Sequence, residues 1–337
     1  MSVESPSANG LKRPISEPVE AGIASQVVLS LGDQLRHRPI VVAVSGEADG
    51  AAPVRVAAAL EQRFGSAISA VQVLDVSDLP NPLPAAFTFA RELIGDVPYA
   101  EDARARRRQF GEWLARPNEW PVHIALGSAA YQILDYAERQ QAALIVMGLR
   151  HHGVVDRVLH DETTLTVARR AHSVVLAVVP GLQRLPRRAI VGIDFGPASI
   201  RAARAALDVL VGQAPTNTRV LRLLYVDRSG VEGAHEDTAG ETLIKHLGVE
   251  AAFEQLAREL GAPPGVRVEF VTRHGSVAEE LLACADESRA DLIAIGSLRH
   301  ERLERWILGS VTTEIVRDGR CSVLVIPPPR VASNQSR

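Results

Sequence analysis

The sequence predicts an α/β protein made of two tandem, doubly wound parallel-sheet domains. Three observations carry this: an internal repeat, a strand–helix alternation inside each copy, and enough apolar material for two cores. The segment GSAAYQILDYAERQQAALIVMG (Gly127 to Gly148) lies over GSVAEELLACADESRADLIAIG (Gly275 to Gly296) without a gap, at an offset of 148. Upstream, IVVAVSG (Ile40 to Gly46) lies over AIVGIDF (Ala189 to Phe195) at 149. Downstream, HDETTLTVARRAHS (His160 to Ser173) lies over GSVTTEIVRDGRCS (Gly309 to Ser322), again at 149. Chance similarity would not hold one register across three blocks, so the chain reads as a duplication. Its 337 residues suit two domains of about 150. Hydrophobic residues at 46% and charged residues at 23% are ordinary globular proportions and exclude wholesale disorder.

Each copy opens on a short β-rich strand, Val41 to Val44 in the first and Ile190 to Ile193 in the second. A helix and a second strand follow, Ala70 to Val76 and Val220 to Val226. After an insert come the third strands, Val122 to Leu126 and Arg267 to Thr272. The next helices keep apolar residues at helical spacing: Ala129, Ile133, Leu134 and Ala137, matched by Val277, Leu281, Leu282 and Ala285. Ser128 and Ser276 stand where N-caps belong. Fourth strands at Leu144 to Met147 and Leu292 to Ile295 lead through a loop and helix to the last, Val174 to Val179 and Ser322 to Ile326. The most continuous apolar runs suit strands buried on both faces of a parallel sheet. Strands alternating with helices of about 10–15 residues give right-handed βαβ units.

The boundaries follow from composition. Residues 1–37, Ser/Pro/Glu-rich at first and then weakly helical, read as a flexible arm, 38–180 as the first domain, 181–188 as a short basic proline-containing linker, 189–328 as the second domain, and 329–337 as a disordered tail. The inserts at 80–120 and 227–262 each predict a helix, Asp102 to Leu114 and Glu241 to Leu260. The Arg104 to Arg108 cluster on the first reads as a solvated face or as a contact for an acidic partner.

Composition also excludes. A net charge of -3 with a pI near 6.4 argues against a DNA binder, which usually carries a basic surplus. No apolar run approaches the roughly 20 residues of a membrane span, and Ala21 to Leu31 makes a poor signal peptide, so a cytoplasmic setting is expected. Two cysteines, Cys284 and Cys321, cannot make a disulfide framework or a metal knuckle. The sequence has no GxxxxGK[ST], GxGxxG after a strand, HExxH, CxxC or GxSxG. His151–His152 with Asp156 lacks a third ligand and reads as a surface group.

What remains is a set of small and polar residues at strand carboxyl ends, where doubly wound sheets bind ligands. In the second copy these are Asp194, Val226 with Asp227, Gly296, and Gly309-Ser310-Val311 opening the last helix. Glycine lets backbone approach an anion, and the free N–H groups and helix dipole favour phosphate. An Asp at a strand end can accept hydrogen bonds from an exocyclic amine or a ribose. Gly-Ser is equally a good helix start, and an Asp after a strand is a common loop residue.

These residues resemble the universal stress protein (UspA) family in tandem form, across residues 38 to 327. The resemblance rests on IVGIDFG (Ile190 to Gly196), LIAIGS (Leu292 to Ser297), LGSVTTEIVRDGRCSVLVIP (Leu308 to Pro327), and the weaker VMG…HSVVLAVVP equivalents. It implies a Rossmann-like, adenine nucleotide alpha hydrolase-like fold and a stress-response role. It also implies that the last strands, Val174 to Val179 and Val323 to Ile326, lie at the sheet edge. An open apolar edge invites aggregation unless paired, so an intramolecular pseudo-dimer through these two strands is expected, with room for a further homodimer. The resemblance further implies ATP or ADP, with Mg if bound, held by Gly-x2-Gly-x9-Gly-Ser/Thr and an Asp after the first strand. Here that pattern runs Gly296-x2-Arg299-x9-Gly309-Ser310, with Asp194 as the Asp. The middle glycine is replaced by Arg299, whose guanidinium either plugs the phosphate pocket or pairs with the phosphates.

The first copy departs further. Ser45 stands for Asp194, His160 for Gly309, and Asp161 for Ser310, and the loop is one residue shorter. A carboxylate at a helix start is a good N-cap but opposes a triphosphate. The first copy is expected to be a structural partner, leaving at most one nucleotide per chain. Two functions stay open: a nucleotide-binding module that is non-catalytic or slowly hydrolytic, and a non-nucleotide interaction protein of the same family. An enzyme such as an adenylating one would need a general base that the pocket does not offer.

Overall fold

A computed structural model describes residues 30–45, 50–74, 97–149, 157–210, 219–227, 243–244, 246–297 and 309–328, with residues 97–102 and 157–162 described by backbone alone. In chain order the first half contains α1 (Leu31–His37), β1 (Ile40–Val44), α2 (Ala51–Phe64), β2 (Ile68–Leu74), α3 (Val97–Leu114), β3 (Val122–Leu126), α4 (Ala129–Arg139), β4 (Leu144–Gly148), α5 (Arg157–Arg170) and β5 (Val174–Val178). The second contains β6 (Arg188–Gly192), α6 (Pro197–Leu210), β7 (Arg219–Asp227), α7 (Val249–Leu260), β8 (Val266–His274), α8 (Val277–Ser288), β9 (Leu292–Gly296), α9 (Ser310–Asp318) and β10 (Ser322–Ile326).

All ten strands lie in one sheet of order β3-β2-β1-β4-β5-β10-β9-β6-β7-β8. Every pairing is parallel except the central one, where β5 and β10 run antiparallel with Val175 opposite Val325, Leu176 opposite Leu324 and Ala177 opposite Val323. The apolar edges expected to pair do so, and the repeat becomes a pseudo-twofold about that joint. Alternation then sorts side chains to two faces. Ile40, Val42, Leu144, Val191, Leu292 and Leu324 share a core with α1, α2, α6 and α7. Val41, Ile145, Ile190, Ile293 and Val323 share the opposite core with α4, α5, α8 and α9. Both cores run across the joint, so the sandwich is continuous.

Three expectations change on the structure. Residues 31–37, assigned from composition to the arm, form α1: Ser30 caps it through Asp33 N–H at 3.0 Å, and Leu31 and Leu35 are buried. Ser128 and Ser276 do occupy N-cap positions, but neither hydroxyl makes a capping bond. Helix α5 begins at Arg157, so Asp161 lies in its fifth position rather than at its cap. The reason is local: in α9 Gly309 is the N-cap, whereas His160 continues a helix. The helices of the inserts also differ in extent, α3 starting before Asp102 and α7 after Glu241.

Two polar contacts secure the joint and the linker. Ser322 accepts a 3.3 Å hydrogen bond from Val179 N–H across the β5–β10 seam. Asp291 Oδ2 accepts from Arg187 N–H at 2.8 Å and Arg188 N–H at 3.0 Å, fixing the linker's end to the start of β9. Of the arginine cluster on α3, Arg106 bonds Gln72 at 2.8 Å and also Gln109, so it belongs to the fold, while Arg104 and Arg108 are exposed.

Candidate strand-end site

Strand order reverses between β1 and β4 in the first half, and between β6 and β9 in the second. Helices α2 and α6 cover one face and α5 and α9 the other, which opens a crevice outside the strand carboxyl ends. In the second half, register places the expected residues around it. Gly192 lies opposite Leu224, and continuing that pairing two residues sets Asp194 beside Val226. On the other side, Val191 lies opposite Ala294, two residues before Gly296.

Asp194 is half-buried and closes a tight turn. Its Oδ1 accepts from Gly196 N–H at 2.8 Å and from the Ser199 hydroxyl at 2.6 Å. Side chains of Asp commonly bond backbone two residues on, and here that bond launches α6. Among the described residues Oδ2 takes no hydrogen bond, so one carboxylate oxygen remains for a ligand. Phe195, inside this turn, is left-handed at φ 57 and buried against Tyr225 and Phe253 with centroids 5.7 and 5.0 Å away. A phenylalanine in that region is strained, and its ring packing holds it there.

Gly296 ends β9 directly beneath α6. A Cβ added there would be driven into the Ala198 backbone carbonyl. This glycine therefore lets helix and strand meet, a role the sequence does not reveal. Gly309 differs: it caps α9 in extended backbone, and a Cβ would meet none of the described residues within 4 Å. Ser310 is exposed, Val311 half-buried and Thr312 buried, and among the described residues no side chain caps the first turn. A first turn without such a cap is the arrangement that suits an anion. Asp227, the last residue of β7, is engaged by His274 Nδ1 at 3.4 Å, while Val226 is buried. Arg299 lies outside the described residues, as do the side chains of His160 and Asp161.

The crevice of the first half is built differently, through a residue the repeat does not show. Trp113 of α3 lies against the β1–α2 turn, its indole Cη2 3.2 Å from where a Cβ on Gly50 would stand, as is the Ser45 carbonyl. Phe110 backs the indole at 5.8 Å between centroids. Trp113 sits in the insert, outside the blocks that align, so comparing the copies could not find it. Gly148, the counterpart of Gly296, has only Pro53 Cγ at 3.9 Å near its missing Cβ. Among the described residues no group of three or more His, Cys, Asp or Glu could hold a metal ion, and no helix is long and apolar enough to cross a membrane.

With this geometry in hand, comparison with known proteins is informative. The pattern of the Universal stress protein family matches residues 36–179 and again 186–327. A universal stress protein of Methanocaldococcus jannaschii is 26% identical over 157 residues, 46% of this chain and 89% of that protein. Over the whole fold, a universal stress protein from Archaeoglobus fulgidus superposes with a TM-score of 0.58 at 18% identity, covering 87% of this chain and 99% of that one. A functionally unknown protein from Pseudomonas aeruginosa gives a TM-score of 0.53 at 12% identity, over 87% and 94%.

Proposed function

The chain belongs to the universal stress protein family, in tandem form, and from that premise we propose that it is a stress-response module binding one adenine nucleotide, ATP or ADP, in its second half. One observation carries the reading: α9 opens on Gly309, where a Cβ would meet none of the described residues within 4 Å, while in the first half α5 already runs on through His160 and Trp113 stands against Gly50 beside β1. In this reading the N–H groups of Ser310 and Val311 hold phosphate, Asp194 Oδ2 and Val226 line the base and ribose end, and Arg299 pairs with the phosphates. Gly296 contributes by admitting α6 rather than by touching ligand. In this reading the role is binding, with at most slow hydrolysis of the nucleotide. Calorimetry with ATP tests it: one nucleotide per chain is expected, and a stoichiometry near two overturns the single-site assignment.

The second reading, an interaction protein without nucleotide, is favoured by a different observation. Asp194 Oδ1 and Gly296 both already serve the packing of α6, and neither needs a ligand to explain it. Nucleotide carried through purification, seen by its ultraviolet absorbance, separates the two. Absence of any bound or titratable nucleotide selects the second.

A further inference from the structure

Away from the crevice, four guanidiniums gather where the two halves meet on the α1 side of the sheet. Arg36 belongs to α1 and Arg63 to the last turn of α2. Arg187 precedes β6, and Arg219 is the first residue of β7. Phe64 sits among them, with Arg63 Cζ 4.6 Å and Arg36 Cζ 6.0 Å from its ring centroid. Val220 N–H bonds the Arg187 carbonyl at 2.9 Å and Arg188 lies opposite Val220, which sets Arg187 beside Arg219 where β6 and β7 begin; Arg219 in turn acts electrostatically on Arg63. Two carboxylates answer them. Asp33 is already paired with Arg36 at 2.5 Å, and Asp208 Oδ2 is spent on Gly32 N–H at 2.8 Å.

The donors are left open. Among the described residues the guanidiniums of Arg63, Arg187 and Arg219 make no hydrogen bond, and Arg219 Nε is buried without a partner. Each guanidinium carries five N–H donors in a fixed fork, the geometry that matches tetrahedral oxyanions. Partly buried cations set side by side repel, and an anion placed among them removes that repulsion while filling the forks. Burial holds Arg63 and Arg219 below the ordinary guanidinium range; Asp208 pulls Arg63 back up, while Arg219 and Arg36 on Arg63, and Arg187 on Arg219, add to the lowering.

We propose that this cluster binds a phosphate-class oxyanion, seated between Arg63 of the first half and Arg187 and Arg219 of the second. Because the cations come from both halves, the anion ties the joint together. The site is separate from the nucleotide crevice, and its test is independent of that reading.

The full chain is titrated with inorganic phosphate, following the thermal midpoint and the heat of binding, against sodium chloride at matched ionic strength. Phosphate should raise the midpoint beyond chloride. Removing one charge-assisted contact should weaken phosphate at least about tenfold in Arg63→Gln and in Arg219→Gln, and the double variant should lose it. Should the double variant not fold, Arg63→Lys and Arg219→Lys keep the charge but lose the fork, and weaker binding is expected in each. Arg104→Gln, at an exposed arginine of α3 outside both sites, should leave the phosphate response intact. An effect equal to chloride, full phosphate affinity in the Arg63 and Arg219 variants, or a response lost equally in Arg104→Gln overturns the proposal.

Discussion

Two glycines at equivalent places in the repeat carry opposite constraints. A methyl group at Gly296 meets the Ala198 backbone, which cannot move without shifting α6, whereas at Gly148 it meets only the edge of Pro53 at 3.9 Å. Gly296→Ala is therefore expected to destabilise by about 3 kcal/mol or more, and Gly148→Ala by less than about 1, as read by denaturant midpoints. Equal effects would show that α6 does not rest on β9 this closely. At the crevice, Gly309→His with Ser310→Asp should abolish nucleotide binding. A carboxylate about 4 Å from a phosphate costs about 4 kcal/mol at an effective dielectric near 20, roughly a thousandfold in affinity. Asp161→Ser in the first half should change nothing, and calorimetry that shows unaltered affinity in the double variant defeats the assignment. The places of Gly296, Gly309 and Ser310, at the end of β9 and the opening of α9, were legible in the repeated pattern. The use of Gly296 was not, since only a neighbouring backbone reveals why a side chain is excluded.

At the level of elements, α1 is the piece that composition hides and packing explains. Seven residues are too few for helical periodicity to show. The helix is held by burial of Leu31 and Leu35 and by Asp208, reaching from α6 to Gly32 N–H. Burial pushes the Asp208 carboxyl above its ordinary 3.8, with Gly32 N–H and Arg63 pulling it back. A carboxyl raised on folding adds stability that is whole below its unfolded value and is lost as pH rises through its folded value. Asp208→Asn, which keeps an acceptor for Gly32, should thus gain on the wild type as pH rises from 4 to 7. Denaturation curves that stay parallel across that range would show that Asp208 has no such role. The strands, by contrast, were legible to within about two residues at each end, Val122 to Leu126 and Ser322 to Ile326 without change. Continuous Val/Ile/Leu runs have few alternatives once both faces are buried. Helix starts were harder: nothing in RVLH stops α5 from beginning before Asp161, and a start set by alignment to Gly309 inherits a glycine the first copy lacks.

At the scale of the whole molecule, duplication has produced one continuous ten-stranded sheet whose two cores are shared by both halves. The β5–β10 pairing carries the sheet from one half to the other, and each of the two cores includes strands from both halves. Leu176 and Leu324 face each other at the centre of that seam, both buried. Parting the halves would strip this edge of its hydrogen bonds, expose the seam and leave α1 without α6. No half can then melt at its own temperature while the other stays intact, provided the seam's contribution exceeds the difference between them. The full chain should therefore unfold in one calorimetric transition, with the calorimetric and van't Hoff enthalpies equal. Leu324→Ala tests this from one side of the seam. Truncating a buried leucine costs about 2–5 kcal/mol, and the loss should lower amide-exchange protection in β4 and β5 as well as in β9 and β10. If only the second half loses protection, or a second transition separates in the scan, the two copies fold independently and the joint is a contact between finished domains.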